Sequence, residues 1–185
     1  DFDYTERLAH MISLDVANKL AALIDPIKAT YFKEETLGSV HKDTVYLTVV
    51  DKDQMAVSMI YSIFHSFGSG MASKKFGINF QNRGAGFTLE REHPNEVAGF
   101  KRQMHTIIPG ILRQSDKFTM PFGVMGGAYQ PNGHVRYMSN LVDFDMNIQE
   151  AIDGPRSFYD NGDLMLERGY TNLVRDGLKN MGHKV

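Results

Sequence analysis

The chain contains no cysteine, which excludes disulfides, thiolate catalysis and cysteine-bound metals. It has no basic footprint either. Its 20 Lys and Arg stand against 22 Asp and Glu, a formal net charge of −2, so nucleic-acid binding has no electrostatic support. The pairs Lys74-Lys75 and Lys101-Arg102 are isolated and read as solvated surface. No apolar run approaches the length of a membrane span. The opening residues, DFDYTERLAH, are acidic and polar, and no signal-peptide pattern is visible in them. These absences give the expectation of a soluble chain with neither nucleic-acid nor membrane partners, with the cytoplasm slightly favoured. The seven histidines show no HxxxH or HxH spacing, so a metal site has little support. Gly68-Ser69-Gly70 is not followed by the lysine and hydroxyl residue of a phosphate loop.

What remains is ordinary globular material. With 185 residues, 42% hydrophobic and 23% charged, there is room for one core or for a large piece of a bigger one. The most ordered stretch runs from Asp43 to Gly70, DTVYLTVVDKDQMAVSMIYSIFHSFGSG. Val45, Leu47 and Val49 alternate with Tyr46, Thr48 and Val50, a strand pattern rich in β-branched and aromatic residues. Asp51-Lys52-Asp53-Gln54 suits a hairpin turn. The second arm, with Ala56, Val57, Met59, Ile60 and Ile63, carries almost no charge and is expected to be buried on both faces.

Around this hairpin the spacing predicts helices over residues 4–24, with Ser13 capping the second of them, and over 130–145, 147–152 and 171–181. Residues 27–42 read as an exposed connector. A short strand is expected at 76–80, another at 164–166, and a second hairpin with arms 105–112 and 118–124. Central hairpins flanked by helices imply an α+β fold, antiparallel sheets covered by helices.

Four features could carry chemistry. Thr44 opens the first hairpin and, read from the hairpin alone, is first a β-branched residue starting a strand. If the chain were cut before it, the freed α-amine would stand within one residue of the hydroxyl and could serve as its base, with a reference pKa of about 8. Gly126-Gly127 follows the second hairpin. The pair reads either as a tight turn or as backbone N–H donors aimed at a developing oxyanion. Arg83, in the glycine-flanked run NRGAGF, is either a surface arginine or a bidentate anion binder. His105-Thr106 begins a strand, where a histidine is ordinarily a packing or surface residue.

Together these pieces resemble the γ-glutamyltransferase family of N-terminal nucleophile hydrolases. TVYLTVVDKDQMAVSMIYSIFHSFGSG is similar to the start of that family's small subunit, and SLDVANKLAALIDPIKA to the end of its large subunit. KRQMHTIIP resembles its substrate-binding stretch and GVMGGA its oxyanion loop. The resemblance implies an αββα sandwich and a proenzyme that cuts itself between Asp43 and Thr44. Residues 1–43 would then close the large subunit, and 44–185 would form the catalytic small-subunit region without its C-terminal part. It further implies Thr44 as nucleophile and Ser62 as a hydroxyl near the nucleophile's amine. Gly126 and Gly127 would stabilise the oxyanion, and a large-subunit chain from the same precursor would be the partner. No cofactor is implied.

Departures from the family pattern concern the acyl pocket. Phe64 replaces an asparagine that helps bind the γ-glutamyl donor. Arg83 stands where an amide or acid is usual, and Gly86 replaces the aspartate that holds the donor's ammonium group. His105 and Thr106 fall where transferases carry two carboxylate-binding serines. A pocket that loses a carboxylate and gains a guanidinium disfavours an α-ammonium group and favours a neutral or anionic acyl group. NRGAGF and HTIIP resemble the acylase and oxamate amidohydrolase branch. The expectation is thus an amidohydrolase of small acidic or neutral acyl amides, with a true γ-glutamyltransferase and a non-catalytic relative as alternatives.

Overall fold

Three antiparallel hairpins and five helices make up the computed structural model, which describes residues 8–30, 44–115, 118–160 and 162–185. Near the start, α1 (Leu8–Met11) leads into α2 (Leu14–Ala21). The Ser13 hydroxyl caps α2 by accepting the Val16 N–H at 3.3 Å, as its sequence position predicts. The helix ends at Ala21 rather than Ile24; turns carry the chain on to Asp25-Pro26. Of the expected exposed connector, residues 27–30 are described, and there Ala29 is buried and donates its N–H to the Met181 carbonyl at 2.8 Å. Residues 31–42, residues 4–7 of the expected first helix and the Asp43 side of the expected cleavage point fall outside the described residues.

Strands β1 (Thr44–Val50) and β2 (Ala56–Ser62) pair in a register that sets Thr44 opposite Ser62 and Val50 opposite Ala56. Asp51 organises the turn, its carboxylate accepting the N–H groups of Asp53 and Met55 at 2.9 and 2.8 Å. Side-chain alternation divides the hairpin into two faces. Val45, Leu47, Val49, Val57, Met59 and Tyr61 all lie on one face, and all are exposed. Tyr46, Ser58 and Ile60 lie on the other and are half-buried, as are Thr44 and Ser62 at its end. The expectation that the second arm is buried on both faces is therefore corrected. Only its polar-bearing face is packed, because β4 and the loops after it lie on that side.

The second hairpin is shorter than expected, β3 (Gly110–Gln114) with β4 (Phe118–Phe122). Its first arm starts only at Gly110, since Pro109 has no N–H to donate to a ladder. Gly110 lies under the Phe122 ring, where a Cβ would stand 2.6 Å from Cζ. Residues 76–80 form no strand. Loop bonds from Phe80 N–H to the Met71 carbonyl and a single bridge between Ala72 and Asn79 replace it.

In the last third, α3 (Gln130–Val142) starts with Pro131 in its first turn and stops short of Asp145, which adopts φ 51°. Asn147 and Glu150 form a capping box for α4 (Ile148–Asp153). The two helices are joined by Asn140, which is 1% exposed and donates to the Ala151 carbonyl at 3.1 Å. Strand β6 (Asp163–Leu166) appears where a strand was expected, paired with β5 (Ser157–Asp160), which the sequence pattern missed. Thr171 caps α5 (Asn172–Asn180). The most buried side chains among the described residues are a mixed set: Ala29, Phe64 and Ala151 with Arg83, Thr106, Gln130 and Asn140. Charged and polar groups rarely occupy such positions unless they are paired. Three of these seven, Phe64, Arg83 and Thr106, meet at one place.

Candidate active site

That place is reached from Thr44 through a chain of contacts. The Thr44 hydroxyl donates to Ser62 Oγ at 3.3 Å, a consequence of their facing positions in the β1–β2 register. Ser62 Oγ also accepts the Phe64 N–H at 3.1 Å, where the strand ends and turns. Phe64 adopts φ 80°, a region that a bulky side chain enters only when its surroundings hold it there. Its ring is 4% exposed. The Arg83 guanidinium lies over that ring, Cζ 5.0 Å from the centroid, in a cation–π arrangement.

Arg83 itself is 7% exposed and opens a short 3-10 turn, Arg83–Gly86. Nη1 makes a long bond, 3.4 Å, to the Thr106 hydroxyl. Nη2 is buried without a hydrogen-bond partner among the described residues. Burial lowers the guanidinium's pKa from its ordinary value, the expected penalty for a cation removed from water. Nearby, His105 Nδ1 accepts the Ile107 N–H at 3.3 Å. Partial desolvation, and after it the charge of Arg83, hold the His105 imidazole below its ordinary value. Gly86 is buried at the far end of the turn. A Cβ there would stand 3.4 Å from Gln103 Cγ and 3.8 Å from Phe64 Cζ, so a side chain at this position would point toward the Phe64 ring.

Gly126 and Gly127 leave β4 by another route to the same face of the hairpin. Ser58 on β2 donates to the Phe122 carbonyl at 3.3 Å, fixing β4 against that face. The next residue, Gly123, passes so close to Tyr46 that a Cβ would fall 2.4 Å from its ring. Gly126 then adopts φ 123° and Gly127 φ 58°, backbone conformations that side chains other than glycine rarely accept. Gly127 is buried and opens a 3-10 turn that runs straight into α3. Among the described residues, no group of three His, Asp or Glu side chains could hold a metal ion.

The structure thus gathers Ser62, Phe64, Arg83, Gly86 and Thr106 with Thr44, places His105 beside Arg83, and sets the glycine pair on a loop from the same sheet face. Sequence reasoning missed the residues that fasten these loops. Asn95 donates to the Gly86 carbonyl and accepts the Met104 N–H at 2.7 Å, tying the Arg83 turn to the 103–106 segment. Asn82 does the same toward β2 through His65. Side-chain amides flanking a glycine-rich run were the available signal, since they can accept and donate at once. Gln130, wholly buried just past the glycine pair, also went unnoticed.

The antiparallel hairpins and helices superimpose on solved transpeptidase and acylase structures, and the fold is that of the N-terminal nucleophile hydrolases. A cephalosporin acylase from Bacillus halodurans superimposes with a TM-score of 0.80 and 34% identity, over 97% of this chain and 32% of that one. The family model described as Gamma-glutamyltranspeptidase matches residues 1–185, and the chain belongs to that family. An oxamate amidohydrolase proenzyme of Klebsiella pneumoniae is 36% identical over 149 residues, 77% of this chain and 28% of that protein. A glutathione hydrolase-like proenzyme of Bacillus subtilis is 34% identical over 152 residues, 79% of this chain and 29% of that protein. The chain therefore spans less than a third of the length of these relatives.

Proposed function

We propose that residues 44–185 are the catalytic region of an autoprocessed amidohydrolase, in which Thr44 cleaves an amide whose small acyl group is acidic or neutral, with the acidic group favoured. Cleavage between Asp43 and Thr44 would free an α-amine beside the hydroxyl. That amine takes the Thr44 Oγ1 proton as the oxygen attacks the amide carbonyl. The oxyanion that forms is held by the Gly126 and Gly127 N–H groups. Collapse expels the leaving amine, which takes the proton, and leaves an acyl ester on Thr44. Water, deprotonated by the same α-amine, then releases the acid and restores the hydroxyl. Residues 1–43 would remain with the large subunit, so that the working enzyme is a heterodimer cut from one precursor. Both curated relatives described above are named proenzymes, which agrees with this.

One observation carries the reading: Thr44 and a buried guanidinium, its Nη2 unpaired among the described residues, are joined by the short path Ser62–Phe64–Arg83. A cation already desolvated and half unpaired is preorganised for a carboxylate. The same cation repels an α-ammonium group, and Gly86 offers no carboxylate to hold one. A γ-glutamyl donor therefore fits less well than a short dicarboxylic half-amide. Mass spectrometry of the full-length precursor tests the nucleophile. The wild type yields a fragment beginning at Thr44, and Thr44→Ala yields neither that fragment nor amidase activity. Normal cleavage and turnover by Thr44→Ala overturns the mechanism. Preference for γ-glutamyl anilide over oxamate and glutaryl amides overturns the acyl assignment.

A further inference from the structure

The loop that carries Arg83 is bolted to the end of β2 by two residues, Asn82 and His65. Asn82 donates its backbone N–H to the Ile63 carbonyl at 3.2 Å. Its Oδ1 accepts the His65 N–H at 3.0 Å, and its Nδ2 lies 2.8 Å from His65 Nδ1. The backbone N–H can only donate, so Oδ1 must face it and Nδ2 must face the ring. The amide orientation is thereby fixed, and Nδ1 of His65 is an acceptor. Asn82 also accepts the Ala85 N–H at 3.0 Å on its carbonyl, closing the turn that presents Arg83. On the other side, the His65 ring stacks on Phe64 with centroids 4.6 Å apart. Phe64 is thus gripped at φ 80° by Ser62 behind it and by the Asn82–His65 clamp ahead of it.

We infer that Asn82 and His65 are positioning residues that fix the separation between the Thr44 hydroxyl and the Arg83 guanidinium, and so set which acyl groups are accepted. This rests on the reading of Thr44 and Arg83 given above. The two groups sit on segments about 40 residues apart in sequence, and each is tied to β2. Thr44 is tied through Ser62, Arg83 through Asn82 and His65. A substrate held by its carboxylate at Arg83 must bring its amide carbon to Thr44 Oγ1 within bonding approach. Misplacement by 1 Å costs on the order of 100-fold in rate. A neutral acyl group draws nothing from Arg83 and does not feel the clamp in the same way. The clamp therefore governs a ratio between substrates more than turnover itself.

The test compares glutaryl p-nitroanilide with butyryl p-nitroanilide on the full-length, processed enzyme. His65→Leu removes the ring acceptor, whereas His65→Asn returns an acceptor at the same place. The kcat/KM ratio, glutaryl over butyryl, falls at least about tenfold in His65→Leu, chiefly through the kcat of the glutaryl substrate. In His65→Asn it stays within about threefold of wild type. Asn82→Ala lowers the ratio as His65→Leu does. Release of the fragment beginning at Thr44 reports that each variant has folded. If His65→Leu does not release it, Asn82→Ala and His65→Asn decide on the same ratio. Equal losses on both substrates, or an unchanged ratio in a processed variant, overturn the inference. A wild type that fails to process or ignores glutaryl anilide instead sinks the proposed function, whatever the variants do.

Discussion

Replacing Arg83 by methionine removes the charge and the donors while keeping a long apolar side chain over Phe64. The size of the effect follows from the geometry. Among the described residues the guanidinium is already buried, at 7% exposure, with Nη2 unpaired and Nη1 held by a 3.4 Å bond to Thr106. Its desolvation is therefore met by the fold rather than by substrate binding, and a bound carboxylate collects most of the charge-assisted interaction. Hydrogen bonds to charged groups contribute about 1.5–3 kcal/mol. At 1.4 kcal/mol per tenfold, Arg83→Met lowers kcat/KM for a glutaryl or oxamyl amide about 10- to 100-fold. The neutral butyryl amide changes by less than about threefold, because no group on it meets the guanidinium. Arg83→Lys does not rescue, since an ammonium lacks the planar fork that can bond Thr106 and a carboxylate together. Steady-state kinetics on the two amides is the assay. An equal loss on both, or full retention on the acidic one, refutes the assignment of Arg83 to the acyl carboxylate.

Gly86→Asp should reverse the preference. The new Cβ has Gln103 and Phe64 as its nearest neighbours, at 3.4–3.9 Å, and the carboxylate then pairs with Arg83, so acidic amides lose turnover while γ-glutamyl anilide gains relative to them in a competition assay. His105 gives a pH dependence. Its folded pKa lies below the ordinary 6.5, so its contribution to stability is present above 6.5 and is lost as pH falls through the depressed value. A bound carboxylate offsets the repulsion from Arg83 and raises that pKa, so inhibition by glutarate tightens as pH falls through the mildly acid range, and His105→Gln removes that part of the slope. Gly123→Ala forces a Cβ to within 2.4 Å of the Tyr46 ring and costs about 1–3 kcal/mol by overpacking, read as a lower denaturation midpoint of the full-length protein.

Much of this fold is legible in local chemistry. The β-branched alternation of residues 44–50 and the polar turn after it specify a hairpin whatever surrounds it, and Ser13, Asn147 and Thr171 announce helix starts through their capping hydroxyls and amide. Signals of this kind act within a few residues, so the chain itself contains them. Strand β5 was missed because Ser157–Asp160 has no period-two pattern and exists only through its pairing with β6.

The sequence by itself determined that Thr44 opens a strand, that two glycines follow the second hairpin and that an arginine replaces an expected amide or acid. Their order and spacing also carried the family. Tertiary structure decided what those residues are to one another. It turned the polar-bearing face of β1–β2, not the Val/Leu/Met face, toward the packed side. It buried Arg83 against Phe64 and Thr106, and it supplied the Asn82–His65 and Asn95 bonds that hold the loops. Burial and long-range hydrogen bonds depend on segments 9 to 64 residues apart meeting in space. No local pattern encodes that meeting, which is why residue types and their order could be read from the chain and the burial and bonding of Arg83 could not.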